Sequence, residues 1–148
     1  MELAALAEQL DDAVVALRTA TLPRAGLSLT AAATLARLQR AGSARLTELA
    51  LAEGISQPSM TTLIARLADQ GLVRRAPDPR DGRAVVLTLT EAGEELLAQR
   101  RAERTTRITG PLAGLPPADL QRIAEALPAL TQLADALRRS PIHVEVTR

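Results

Sequence analysis

The sequence predicts a mainly α-helical fold with one small β-hairpin, and three observations carry that expectation. Apolar residues recur at steps of three and four over most of the chain, the period of helices that bury one face. One stretch, LVRRAPDPRDGRAVVLTLT from Leu72 to Thr90, instead joins β-branched residues and partial alternation to a turn-rich centre, which marks a hairpin. At 148 residues and 47% apolar, the chain has material for one small domain with accessory helices and no more.

Leu3, Leu6, Leu10, Val14 and Leu17 form the apolar stripe of a first helix that ends before Pro23. Thr30 is the expected N-cap of a second helix through Leu35 and Leu38, and Gly42 its stop. A short third helix, LTELALAE, is closed by Gly54. Ser56 caps the fourth, SQPSMTTLIARLADQG, which accepts Pro58 in its first turn and places Met60, Leu63, Ile64 and Leu67 on one face before Gly71. After the hairpin, Thr90 opens a helix expected to stop near Thr109, ahead of Gly110 and Pro111. The last helix starts near Pro117 and carries Leu120, Ile123, Leu127, Leu130, Leu133 and Leu137, a seam suited to another helix, with a kink expected at Pro128.

Composition removes several classes of function. Without cysteine there is no disulfide and no thiolate nucleophile, and His143 alone gives no zinc set, so neither a metal nor another cofactor is expected. The acid pairs Asp11/Asp12 and Glu94/Glu95 are neighbours on helices and diverge, no glycine loop suits a phosphate, and His143 reads as a tail residue; the chain is not expected to be an enzyme. Aromatic side chains are absent, so none can stack on a base or a ligand. No apolar run nears the roughly 18 residues of a membrane span, and an acid stands where a secretory signal would carry positive charge. A cytoplasmic protein with no membrane partner is the expectation.

Formal net charge is only +1, so attraction to a polyanion must come from the distribution of charge. That distribution is uneven: five arginines face three acids between Arg66 and Arg83, while Glu2, Glu8, Asp11 and Asp12 carry the first twelve residues. Ala50, Gly54, Met60 and Leu63 stand at the offsets a helix-turn-helix needs for a small residue, a turn and two apolar plugs. With the apolar face buried, Gln57, Ser59, Thr61, Thr62, Ala65 and Arg66 point more or less outward, and no acid lies among them. Small hydrogen-bonding groups at the start of such a helix fit a major groove.

Together, Ser56 to Leu67, GLVRRAPDPRDGRAVVLTLTEAG and the flanking helices make a sequence that resembles the MarR family of winged helix-turn-helix transcription regulators, from about Leu27 to Leu137. The resemblance implies a homodimer with interlocked terminal helices, a recognition helix in the major groove and the hairpin as a wing whose tip arginine enters the minor groove. Ser56, Gln57, Ser59, Thr61, Thr62, Arg66, Arg74, Arg75, Arg80 and Arg83 are then the candidates for contact with double-stranded DNA, arranged as an inverted-repeat operator. Many relatives carry arginine where Thr62 stands. Asp78 and Asp81 can accept from arginine and from turn amides, and Gly82 permits the turn, so these three are read as supports of the wing. The resemblance also implies a small-molecule effector, anionic or lipophilic, that releases the DNA; Leu10, Val14 and Arg18 are its weak candidates. Expected boundaries are 1–28 for an N-terminal dimerisation helix, 29–90 for the DNA-binding domain and 91–148 for C-terminal dimerisation helices and tail. The rival reading is a winged-helix protein-interaction module that never touches nucleic acid, which would not need Arg66, Arg74, Arg75, Arg80 and Arg83 on one side.

Overall fold

A computed structural model of the chain describes residues 2–21 and 26–139; His143 lies outside them. The order is α1 (Leu3–Thr21), α2 (Leu29–Ala41), β1 (Ser43–Ala44), α3 (Leu46–Ala52), α4 (Gln57–Asp69), β2 (Val73–Pro77), β3 (Val85–Leu89), α5 (Glu91–Ala113) and α6 (Pro117–Arg139). Two compact units divide the chain, Met1–Arg107 and Ile108–Arg148, so the break falls inside α5.

In the first unit the core draws on α2, α3, α4 and the sheet. Leu35, Leu38, Leu49, Met60 and Ile64 are fully enclosed, with Leu67, Val73 and Leu87 nearly so. An all-aliphatic set fills this space because three short helices converge on it, each offering one stripe at the helical period. The sheet is antiparallel in the order β1-β3-β2. β2 pairs with β3 from Val73↔Leu89 to Pro77↔Val85, and β1 adds Ser43↔Thr88 and Ala44↔Leu87 on the other edge. The sequence reading missed β1, since two residues have no periodicity and form a strand only because β3 presents a free edge.

Three glycines punctuate this unit in the left-handed region: Gly42 at φ +75°, Gly54 at +64° and Gly71 at +72°. The cap of α2 is Ser28 and not Thr30: Ser28 is extended and its Oγ accepts from Ala31 N at 3.1 Å, while Thr30 is already the second residue of the helix and takes the Thr34 hydroxyl on its carbonyl at 2.8 Å. Both residues can cap; Ser28 prevails because its extended backbone starts the helix a step earlier. Thr90 ties the hairpin to α5. Its hydroxyl donates to Gly71 O at 2.6 Å and accepts from Gly93 N at 3.1 Å, and its amide donates to Leu72 O at 3.1 Å.

α5 runs past the expected stop at Thr109, through Gly110 and Pro111 to Ala113. A proline so near the end removes only one amide donor, and helix closure through Gly114 N to Pro111 O at 3.1 Å follows it. α6 continues through Pro128. Neither α1 nor α6 buries any residue: Leu3 and Leu17 of α1 are 84% and 63% exposed, and the α6 stripe from Leu120 to Leu137 is open along its length.

Candidate nucleic-acid interface

The site is built outward from the helix pair. Ala50 at the end of α3 is buried, Ile55 N returns to Ala50 O at 3.1 Å, and Gly54 takes the positive φ that lets α4 turn away. Ser56 then starts α4, its Oγ accepting from Ser59 N at 3.3 Å and lying 2.8 Å from Ser59 Oγ. Met60, Ile64 and Leu67 anchor the helix from within; Leu63 is half-buried on its flank. The opposite face leaves Gln57, Ser59, Thr61, Thr62, Ala65 and Arg66 exposed. Thr61 and Thr62 each turn their hydroxyl back to the helix, to Gln57 O at 2.9 Å and Pro58 O at 3.1 Å.

The hairpin tip between Pro77 and Val85 is held by two aspartates. Asp78 Oδ1 accepts from Arg80 N at 2.9 Å and Asp81 Oδ1 from Arg83 N at 3.1 Å, two side-chain turns that imitate backbone ones. Around them Asp78 N meets Ala84 O at 2.9 Å and Ala84 N meets Asp81 O at 2.9 Å. Gly82 has neither a positive φ nor any atom within 4 Å of where a Cβ would stand, so the turn here rests on the aspartates and not on that glycine.

The arginine that Asp78 accepts from lies far away in sequence. Arg45, at the head of α3, brings Nη2 to 2.7 Å and Nε to 3.2 Å of Asp78 Oδ2. Arg45 is itself fixed, since its amide donates to Glu48 Oε2 at 2.8 Å. The wing is thus clamped to the helix-turn-helix by one carboxylate with the tip on one oxygen and α3 on the other. The Arg45 hydrogen bond, with the Arg80 amide second, holds the Asp78 carboxyl below its ordinary range. A depressed folded value means that its stabilisation is complete above the ordinary carboxylate range, declines as pH falls through that range, and is gone once pH has fallen below the depressed value. The Arg80 amide resonance, followed in an acid titration, is expected to move only below the ordinary carboxylate range; a transition near pH 4 would contradict the clamp.

Arg80 and Arg83 are exposed and form no ion pair among the described residues. Arg74 and Arg75 are exposed too, but strand alternation and the register place them on opposite faces of the sheet: Arg74 opposite Thr88, to whose Oγ1 it donates at 3.1 Å, and Arg75 opposite Leu87. The arginines therefore do not form one single-sided set. A cavity of about 430 Å³ opens between the start of α2, α4 and α5, and none of Leu10, Val14 and Arg18 lines it; Val14 is 52% exposed on α1. No helix among the described residues is long and apolar enough to cross a membrane, and no group of histidine, aspartate or glutamate among them suits a metal.

The pattern of the MarR family matches residues 27–85. An uncharacterized HTH-type transcriptional regulator of Mycobacterium bovis is 35% identical over 113 residues, which are 76% of this chain and 79% of that protein. The HTH-type transcriptional repressor NicR of Pseudomonas putida is 38% identical over 64 residues, 43% of this chain and 40% of its own. Among solved structures, a transcriptional regulator from Thermotoga maritima shares the fold at a TM-score of 0.77 with 23% identity, covering 93% of this chain and 99% of that one. BpsR of Bordetella bronchiseptica, whose DNA binding is regulated by 6-hydroxynicotinic acid, superposes at 0.54 with 25% identity over 88% and 93% of the two chains.

Proposed function

Because the chain belongs to the MarR family and is a DNA-binding transcription regulator, we propose that it works as a homodimeric repressor of an inverted-repeat operator, released by a small-molecule effector. Residues 29–90 form the DNA-binding part of this reading, and 1–28 and 91–148 the dimerising parts. Every residue of the buried aliphatic core falls between Ala31 and Leu87, which supports that division. The observation that carries the reading is the exposed face of α4, free of acids from Gln57 to Arg66, together with a wing whose tip holds two arginines that form no ion pair among the described residues. Gln57, Ser59, Thr61 and Thr62 are assigned to base edges, Arg66 and the wing arginines to phosphates and the minor groove.

The dimer rests on the open leucine stripes of α1 and α6. Exposed apolar faces of that length are rare on a monomer, and a second copy covers them. Sedimentation is expected to give a dimer at low micromolar concentration; a folded monomer there would remove the two-fold axis and with it the inverted repeat. The effector reading draws support from BpsR and its 6-hydroxynicotinic acid, and a cytoplasmic location follows from work on chromosomal DNA.

A salt titration tests the wing. Replacing Arg83 by Ala is expected to weaken binding by about 1 to 3 kcal/mol and to lower the salt dependence by about one charge per half-site. Stability is expected to hold, because only the Arg83 backbone, which Ala retains, joins the turn. Unchanged affinity and slope would leave the wing without a role in DNA binding.

A further inference from the structure

The wing tip holds a backbone nitrogen with a carboxyl group folded over it. Gly82 N makes no hydrogen bond among the described residues, while the amides around it are engaged: Asp81 N donates to Asp78 O at 3.2 Å, Arg83 N to Asp81 Oδ1 at 3.1 Å and Ala84 N to Asp81 O at 2.9 Å. The Arg83 bond closes a loop of atoms that includes Gly82 N, and so holds the Asp81 carboxyl carbon beside that nitrogen. The last two bonds also activate the pair. One draws electrons from the carboxyl carbon, and the other from the peptide group that carries the Gly82 N–H, which makes that hydrogen more acidic. Asp81 is exposed and no atom stands within 4 Å of where a Cβ at Gly82 would be, so nothing blocks the approach.

Asp–Gly occurs once in the sequence, and the other aspartates of the described residues lack a nitrogen free to react. Asp78 precedes Pro79, whose nitrogen has no hydrogen to give up. Asp11, Asp12, Asp119 and Asp135 lie within α1 and α6, where the next amide is committed to a carbonyl of the preceding turn. Gln70 N, which follows Asp69, donates to Arg66 O at 3.1 Å. The chain has no asparagine, so no loss of side-chain ammonia from that residue competes.

We propose that Asp81 and Gly82 form a self-modifying site, at which the wing tip rearranges through a succinimide to isoaspartate and loses its grip on DNA. Gly82 N gives up its proton and bonds to Asp81 Cγ, while the carboxyl hydroxyl leaves with that proton as water. Water then opens the ring. Attack at the side-chain carbonyl restores aspartate, and attack at the main-chain carbonyl gives isoaspartate, whose Cβ and Cγ now lie in the backbone. Neither step needs a cofactor, an oxidant or a reductant. The product keeps one carboxylate, so charge does not change, but the carbonyl that accepts from Ala84 N and the carboxyl that accepts from Arg83 N have exchanged places in the chain. Arg83 is thereby displaced, whereas the bonds from Arg45 to Asp78 at the wing root stay. The effect on DNA rests on the reading of the hairpin as a DNA-contacting wing; the rearrangement does not. Its product belongs to the substrate class of carboxyl methyltransferases that esterify isoaspartate with S-adenosylmethionine.

The test stores the full chain warm at about pH 5, where more of the carboxyl is protonated and leaves as water, and returns it to neutral pH for a duplex selected with fresh protein. Peptide mapping, with labelled methyl transfer by an isoaspartate-specific methyltransferase, is expected to find isoaspartate at position 81 and not at Asp11, Asp12, Asp69, Asp119 or Asp135. The isomerised fraction, separated by chromatography, is expected to bind the duplex roughly tenfold more weakly than fresh protein. Gly82→Ala is expected to bind as the fresh parent does, since the turn does not need a glycine there. On storage it is expected to keep that affinity and to form isoaspartate at least roughly tenfold more slowly, because a Cβ crowds the attacking nitrogen. Asp81→Asn is expected to rearrange faster than the parent, ammonia leaving in place of water. Absence of isoaspartate at position 81, equal accumulation in Gly82→Ala, or undiminished affinity of the isomerised fraction overturns the proposal. Should Gly82→Ala fail to fold, Asp81→Asn decides: rearrangement no faster than in the parent overturns the site. If fresh protein binds no duplex, the regulator reading fails by itself, the effect on DNA falls with it, and the peptide map still decides the rearrangement.

Discussion

Urea unfolding of a Gly93→Ala protein is expected to show a loss of at least about 2 kcal/mol, although Ala is the better helix former by about 1 kcal/mol. A Cβ at position 93 would stand 2.4 Å from Leu72 O and 2.7 Å from Leu89 Cδ1. The leucine tip can swing aside. The carbonyl cannot, because Leu72 O already accepts from Thr90 N, and moving it opens the junction between the hairpin and α5. The companion variant Gly110→Ala lies on the same helix with nothing within 4 Å of its Cβ, and is expected to gain roughly 0.5 to 1 kcal/mol. Opposite signs from the same substitution on one helix would show that the close approach, and not helix propensity, selects Gly93. Equal shifts would refute it.

Asp78→Ala is expected to be the most damaging single change to DNA binding, a loss of more than roughly tenfold, larger than that of either wing arginine alone. It removes the acceptor of the Arg80 amide and both bonds from Arg45, so the tip loses its shape and its attachment to α3 together. Arg45→Ala removes the attachment only and is expected to fall between Asp78→Ala and the unmodified protein. Asp78→Asn keeps an acceptor for the Arg80 amide but no charge for Arg45, and is expected to behave like Arg45→Ala. Simple electrostatics gives the reverse order, since loss of an acid should tighten binding to a polyanion and loss of a base weaken it. Affinities of the three variants at two salt concentrations therefore separate a shape effect from a charge effect. Tighter binding by Asp78→Ala would overturn the clamp.

Features punctuated locally were legible from the residues. Gly42, Gly54 and Gly71 end their helices where the apolar period stops, Ser56 caps α4, and the change of period at Thr90 marks α5. Each signal lies within a few residues of its effect. The features that were not legible depend on distance or on competition. Arg45 and Asp78 are 33 positions apart, and nothing in SARLTELA distinguishes a clamp from a solvated arginine. Ser28 and Thr30 both suit a helix start, and the backbone chose between them. Arg100 lies in AQRRAERTT, where every neighbour suggests a wet surface; its burial follows from the fold of α2 and α4 around it. Subtracting the apolar stripe of α4 leaves Gln57, Ser59, Thr61, Thr62, Ala65 and Arg66 outward, and all six are exposed; that Arg66 also borders a cavity was not legible, because the cavity is closed by α2 and α5.

The back-bonded hydroxyls of Thr61 and Thr62 leave this helix with a particular chemical vocabulary. A hydroxyl has one hydrogen, and both threonines have committed theirs to carbonyls of the preceding turn. What they turn outward is lone pairs and methyl groups. Lone pairs accept from the amino groups of adenine and cytosine, and a methyl nests against the methyl of thymine, whereas the major-groove edge of guanine, O6 and N7, offers two acceptors and no hydrogen to share. On the proposed reading of α4 as the DNA-facing helix, an arginine in place of Thr62 would seek guanine and these two threonines do not, so the hydrogens left to give belong to Gln57, to Arg66 and to whichever of Ser56 and Ser59 does not donate to the other.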